Sequence, residues 1–129
     1  MRYNETVLDH FERPRNVGVV VDADADVTVE SPRCGDTLRL SLRVHDGRIV
    51  EARFLARGCG AAIASASRLT ELLTGLPLGQ AAGLEGEAVA SALGGLPPGK
   101  GECSGLAARA AVAAVADYRR RAGVPPVPE

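Results

Sequence analysis

The chain has 129 residues, 15 basic against 16 acidic side chains, and 46% hydrophobic residues. That is one domain's worth of chain, long enough to bury roughly two-thirds of its unfolded surface. Near-balanced charge gives no electrostatic footprint for nucleic acid or a membrane surface. With no run of 18 apolar residues and no charged-then-apolar leader, the expectation is a soluble, cytoplasmic protein.

Residues 3–13 place Val7, Leu8 and Phe11 at helical spacing, and Pro14 with Arg15-Asn16 ends that helix. The chain then reads as irregular until a short alternating strand at 26–30. Residues 37–44 alternate cleanly, with Leu38, Leu40, Leu42 and Val44 on one face. Asp46-Gly47 is a two-residue hairpin signal, and 48–57 is the return strand. Such a sheet, wet on one face, needs helices on the other.

Three helical segments follow. Residues 61–74 carry Ile63, Ala66, Leu69 and Leu73 on one side and stop at Gly75-Leu76-Pro77. A weak helix covers 85–93, a breaker-rich loop follows at 94–99, and a long Ala-rich helix runs from about 104 to 121. The expected fold is α+β, a small antiparallel three-stranded sheet packed against several helices with a long C-terminal helix. One domain spans 1–122, and 123–129 form a Pro-rich tail.

Three cysteines cannot complete a disulfide framework. In a reducing compartment such cysteines are more often metal ligands or reactive thiols. Cys34 precedes the hairpin and Cys59 follows it, so antiparallel pairing brings them to one edge of the sheet. Cys59 opens one helix and Cys103 opens another, where the backbone dipole favours a thiolate. Thiolates held together need a cation, and a metal supplies it. Asp36, two residues past Cys34, is the best fourth ligand, and Glu102, beside Cys103, is the other candidate. Three thiolates and a carboxylate fit tetrahedral zinc or an iron–sulfur cluster with one hard ligand. His45 reads as a solvated turn residue, His10 as a packed one, and the Lys100 region as an exposed loop.

Four motifs in order give the chain a family likeness. Tyr3-x3-Val7-x-Asp9-His10-Phe11-x2-Pro14-Arg15-Asn16-x-Gly18 is followed by Cys34-Gly35-Asp36. Then come Gly58-Cys59-Gly60-x-Ala62-Ile63-Ala64-Ser65-x-Ser67 and Leu96-Pro97-Pro98-x-Lys100 with Cys103-Ser104-x-Leu106-Ala107. Together they resemble the NifU/IscU-type iron–sulfur cluster assembly scaffolds, nearly from Tyr3 to Tyr118.

The resemblance implies a non-enzymatic carrier that accepts sulfur, as persulfide, from a cysteine desulfurase and combines it with iron. It would then hand a transient 2Fe–2S cluster to recipient apo iron–sulfur proteins. By that likeness Cys34, Asp36, Cys59 and Cys103 hold the cluster or Zn2+. Cys103 would be the persulfide acceptor and Asp36 would keep the cluster labile. A homodimer around a shared cluster is compatible with the family.

Two departures stand out. The scaffold branch carries His before its last Cys, where this chain has Glu102. The Leu-Pro-Pro-Val-Lys segment that engages an Hsp70-type chaperone reads Leu-Pro-Pro-Gly-Lys here, which counts against that partner. The alternatives are a zinc-dependent, SufU-like sulfurtransferase and a structural zinc-binding domain. The SufU-like branch also lacks the His but has an insertion between its second and third Cys, and the 43 residues here look uninserted.

Overall fold

The computed structural model describes residues 3–32 and 35–123. Arg33, Cys34 and residues 124–129, which include all but the first residue of the proposed tail, lie outside the described residues. Within them the chain order is α1 (Glu5–Glu12), β1 (Ala25–Glu30), β2 (Thr37–His45), β3 (Arg48–Arg57) and α2 (Gly60–Leu73). Three more helices follow, α3 (Leu78–Ala82), α4 (Gly86–Ala92) and α5 (Gly101–Ala122). The fold is α+β, with an antiparallel sheet in the order β1-β2-β3.

The alternation in β2 organises the core. Leu38, Leu40 and Leu42 are at most 2% exposed and lie opposite Val29, Val27 and Ala25 of β1. On the other side they face Ala56, Phe54 and Ala52 of β3. Each fully buried leucine contributes about 1.5–3 kcal/mol. Asp46 and Gly47 have φ of 51° and 74°, the two left-handed residues that a tight hairpin of this hand requires.

The expected fourth inward residue, Val44, is only half-buried, because the β2–β3 register shifts between Arg43 and Val44. A bulge of this kind turns the strand and re-aims its side chains. Ser41, on the face expected to be wet, is buried. Its Oγ accepts the Val20 N–H at 2.9 Å, because the segment read as irregular crosses that face. Val17 in the same segment bridges in parallel to Phe54 on the outer edge of β3.

Helices α2 and α5 cover the inner face, α2 against β3 and α5 against β1 and β2. The alanines of α5 are suited to this. Ala107, Ala110, Ala111 and Ala114 are buried and let the helix lie close to its neighbours. Asp117 ties α5 to the sheet by accepting the Asp26 N–H at 3.0 Å, and it pairs with Arg120 and Arg121. Gly123, at φ 71°, closes the helix in the left-handed cap. Helix α3 was not foreseen. Its first residue is held by Leu78 N–H donating to the Gly47 carbonyl at 3.0 Å, a contact across 31 positions that local pattern does not reveal.

Gly86 brings α4 against the start of α5. A Cβ there would stand 2.9 Å from the Gly105 nitrogen and 3.0 Å from its Cα, both backbone atoms. Gly86→Ala is therefore expected to destabilise the fold by about 1–3 kcal/mol through overpacking. A lowered urea midpoint with unchanged slope would show it; an unmoved midpoint would mean that the two helices separate freely.

Candidate metal and thiol site

The hairpin sets the site. Thr37 opens β2 opposite Arg57 at the end of β3, so Asp36 and Gly58 come next in register. Cys59 follows as the N-cap of α2, with extended backbone and no side-chain cap bond. Cys103 is the third residue of α5, which starts at Gly101 rather than near 104. The result is a compact set. One ligand atom each from Asp36, Cys59 and Cys103 all lie within 4.8 Å of one another. Cys34, the expected first ligand, lies outside the described residues.

The two sulfurs are 3.7 Å apart. Two thiolates bound about 2.3 Å from one tetrahedral ion stand roughly 3.8 Å apart. The pair is thus spaced as it would be around zinc or an iron of a cluster, and the nearby carboxylate supplies a third donor. The donor set fits either group.

Burial divides the pair. Cys103 is 6% exposed, beneath Ala61 and Ala62 with Tyr3, Cys59 and Leu96 around it. Burial, the charge of Cys59 and its sulfur contact push the Cys103 thiol up to about 12. Cys59 is half-buried, and burial alone would raise it too. The N–H groups of Ala62 and Ala61, the Cys103 thiol and the Lys100 ammonium outweigh that and bring it below the ordinary value. Cys103 thus keeps its proton in the metal-free pair while Cys59 gives its own up more readily than an ordinary thiol, so the two do not share the tendency that helix starts alone suggest.

A metal must displace that proton. Affinity for Zn2+ is accordingly expected to rise about tenfold per pH unit between pH 6 and 8 for the Cys103 proton alone. Competition against a chromophoric chelator would measure it. A flat profile would show that both sulfurs are already ionised.

The glycines around Cys59 make room for neighbouring side chains. A Cβ on Gly58 would lie 2.7 Å from Cγ and Oδ1 of Asp36, so the missing side chain makes room for that carboxylate. A Cβ on Gly60 would come within 3.3 Å of the Phe11 and Tyr3 rings. Both spaces are filled by the protein's own side chains, not left open for an inorganic centre.

Glu102 does not join the set. It is exposed and lines an open cavity with Ser31, Pro32, Gly105, Leu106 and Arg109. His10 is packed as expected, its Nδ1 2.7 Å from Ser67 Oγ and its Nε2 3.3 Å from Glu71. His45 is exposed beside Asp46.

Sequence reasoning passed over Lys100. It is the single lysine among 15 basic residues, and its ammonium is held in the charged form chiefly by the Cys59 thiolate. Its backbone ends a turn in which Lys100 N–H donates to the Pro97 carbonyl at 3.1 Å. Pro98 and Gly99, the latter at φ 85°, occupy the central positions that proline and glycine favour in a type II turn. The signal was there: one Lys in an Arg-rich chain, three residues before a cysteine.

With a helix-start thiol, a buried partner thiol and a carboxylate converging at one end of the hairpin, sequence comparison decides the family. The NifU-like N-terminal domain family matches residues 2–124. The chain belongs to that family.

Its relatives include the iron–sulfur cluster assembly scaffold protein IscU of Escherichia coli, 45% identical over 125 residues. The alignment covers 94% of this chain and 97% of that protein. IscU 1 of Archaeoglobus fulgidus is 46% identical over 121 residues, covering 94% of this chain and 79% of that one. In structure, the NifU-like N-terminal protein of Brucella abortus matches with a TM-score of 0.58 at 24% identity, over 92% of this chain and 81% of its own. The SufU protein of Fervidobacterium islandicum matches with a TM-score of 0.74 at 17% identity, over 88% and 96%. These last two likenesses speak to the fold alone.

Proposed function

We propose that this NifU-like domain is an iron–sulfur cluster assembly scaffold that accepts sulfur from a cysteine desulfurase and passes a 2Fe–2S cluster to recipient apo-proteins. The observation that carries the reading is the convergence of Asp36, Cys59 and Cys103 within 4.8 Å, with the two sulfurs 3.7 Å apart, in a chain about 45% identical to IscU scaffolds. The cluster is cargo. Cys34, Asp36, Cys59 and Cys103 are its proposed holders.

Each residue has a distinct part. Cys59, whose proton is held less tightly than that of Cys103, is the first sulfur to meet iron. Cys103, buried and protonated, is the proposed persulfide acceptor, and it must come forward from under Ala61 and Ala62 to meet a donor. Gly101 and Gly105 flank it in α5 and ease that movement. Lys100 offsets negative charge gathered on the sulfurs. Asp36 binds iron as a hard oxygen donor among soft sulfurs, which favours release.

Asp36→Ala is accordingly expected to slow cluster transfer to an apo-ferredoxin several-fold, followed by circular dichroism of the recipient. Equal rates would remove Asp36 from that role. The whole reading is tested by iron and acid-labile sulfide on anaerobically purified protein, before and after incubation with iron, cysteine and a desulfurase. Equal gains of iron and sulfide support it.

A second reading, a zinc-dependent sulfurtransferase, is favoured by the same sulfur spacing and by Glu102 in place of the scaffold His. It expects zinc that iron and sulfide do not displace, with a stimulated desulfurase. A structural zinc domain would instead unfold on chelation, since such sites can contribute on the order of 10 kcal/mol. The continuous core between sheet, α2 and α5 argues against that.

A further inference from the structure

Cys59 and Cys103 are two free thiols with their sulfurs in van der Waals contact at 3.7 Å, one half-buried and one buried. A disulfide bond is about 2.05 Å long, so bonding needs under 2 Å of combined travel. Both residues sit at the first turn of a helix, with Gly58 and Gly60 flanking one and Gly101 preceding the other. Sulfane sulfur placed on either thiol is therefore within reach of the other.

We propose that Cys59 and Cys103, when metal-free, act as an internal dithiol that reduces sulfane sulfur to sulfide and become a disulfide in doing so. The inference rests on the persulfide-acceptor reading above and adds an activity to it. The step is a thiol–disulfide exchange. A persulfide donor first transfers one sulfur: R–S–SH and Cys103–SH give R–SH and Cys103–S–SH. The Cys59 thiolate then attacks Cys103 Sγ. The Cys59–Cys103 S–S bond forms, the bond from Sγ to the outer sulfur breaks, and the outer sulfur leaves as HS− with its proton and the bonding electron pair. Sulfane sulfur gains two electrons, and the two cysteine sulfurs together lose two. No outside reductant enters until the disulfide is reset by a thiol.

Two features direct the attack. Cys59 already lies against Sγ, the sulfur whose attack expels sulfide; attack on the outer sulfur would only move the persulfide across. Ala61, Ala62, Tyr3 and Leu96 wall the buried Sγ, so competing small thiols reach it less readily than its neighbour does. A bound metal would hold both sulfurs as ligands and stop the reaction, which confines it to the empty site.

The test is a single turnover. Metal-free full-length protein is treated anaerobically with one equivalent of glutathione persulfide, with no other thiol added. Sulfide is trapped with a bimane reagent and the protein is mapped after alkylation. Trypsin separates the cysteines into peptides 34–39, 58–68 and 101–109, so the linked pair is read directly. The expected result is about one sulfide per chain and a 58–68/101–109 disulfide. Cys59→Ser and Cys103→Ser should each lower sulfide release at least about tenfold, one of them retaining the added sulfur on its remaining thiol.

Wild-type protein that keeps the added sulfur without forming the disulfide overturns the inference and leaves the acceptor reading standing. Wild-type protein that takes up no sulfur on any cysteine overturns both. A disulfide to peptide 34–39 overturns the pairing. Because the map is read on the wild type, a variant that fails to fold does not decide the outcome.

Discussion

Cys59→Ala is expected to reduce loading of iron and sulfide to below about a tenth of the parent level while leaving the fold intact. Loss of a partner that merely orients a ligand costs 10–100-fold in metal affinity, and loss of the ligand itself costs at least as much. Cys59 is the thiol that gives up its proton more readily, and its removal leaves Asp36 beside a sulfur whose proton is held tightly. The fold should not notice. Its side chain makes no cap bond at the start of α2, so alanine forfeits none there. The backbone it does use, the Cys59 carbonyl accepting from Ala62 at 3.0 Å and Ile63 at 3.1 Å, is kept. Parallel measurement of bound iron, labile sulfide and thermal midpoint separates the two effects. Full loading in the variant would move the site off the Cys59–Cys103 pair. Glu102→Ala, outside the set, is expected to load like the parent.

The contrast between these residues shows what the sequence could reveal. Cys59 and Asp36 were legible because a hairpin has a simple rule: residues before its first strand and after its second end at one edge. Asp36 beside Gly58 is that rule extended by one position. The central strand was legible for the same reason, since period-two alternation with a two-residue turn fixes register. Ser41 was misread because its partner, the Val20 N–H, comes from a segment with no periodicity. Alternation says which way a side chain points and not what later covers it.

Cys103 illustrates a different limit. Its place at a helix start was legible, but its burial depends on Ala61 and Ala62 from another helix and Leu96 from a loop. Dipole arguments gave both thiols the same tendency; desolvation reversed it for one of them. Lys100 was treated as loop because its proximity to Cys59 depends on how the turn at 97–100 folds back. Gly58 stood only as part of a motif, and the space its missing side chain leaves is taken by the Asp36 carboxylate. Charge placement and excluded volume are three-dimensional facts that residue spacing only hints at.

The second large effect is expected at the other end of the same helix. Leu69 of α2 is fully buried in the core shared by the sheet, α2 and α5. Leu69→Ala is expected to cost about 2–5 kcal/mol, the lost transfer energy plus the cavity left among neighbours that relax only partly. Against a total stability of about 5–15 kcal/mol for a domain of this size, that is a large share of the margin. Denaturant unfolding should show a lower midpoint with an unchanged slope, because the surface exposed on unfolding barely changes. At low temperature, where the variant stays folded, its Asp36–Cys59–Cys103 set should still load, since Leu69 lies nearly three helical turns from Cys59. Loading lost in step with stability would mean that the site is assembled only by the fully packed core. Loading retained would show that α2 carries the fold at its C-terminal end and the chemistry at its N-terminal end, so either can be altered without the other.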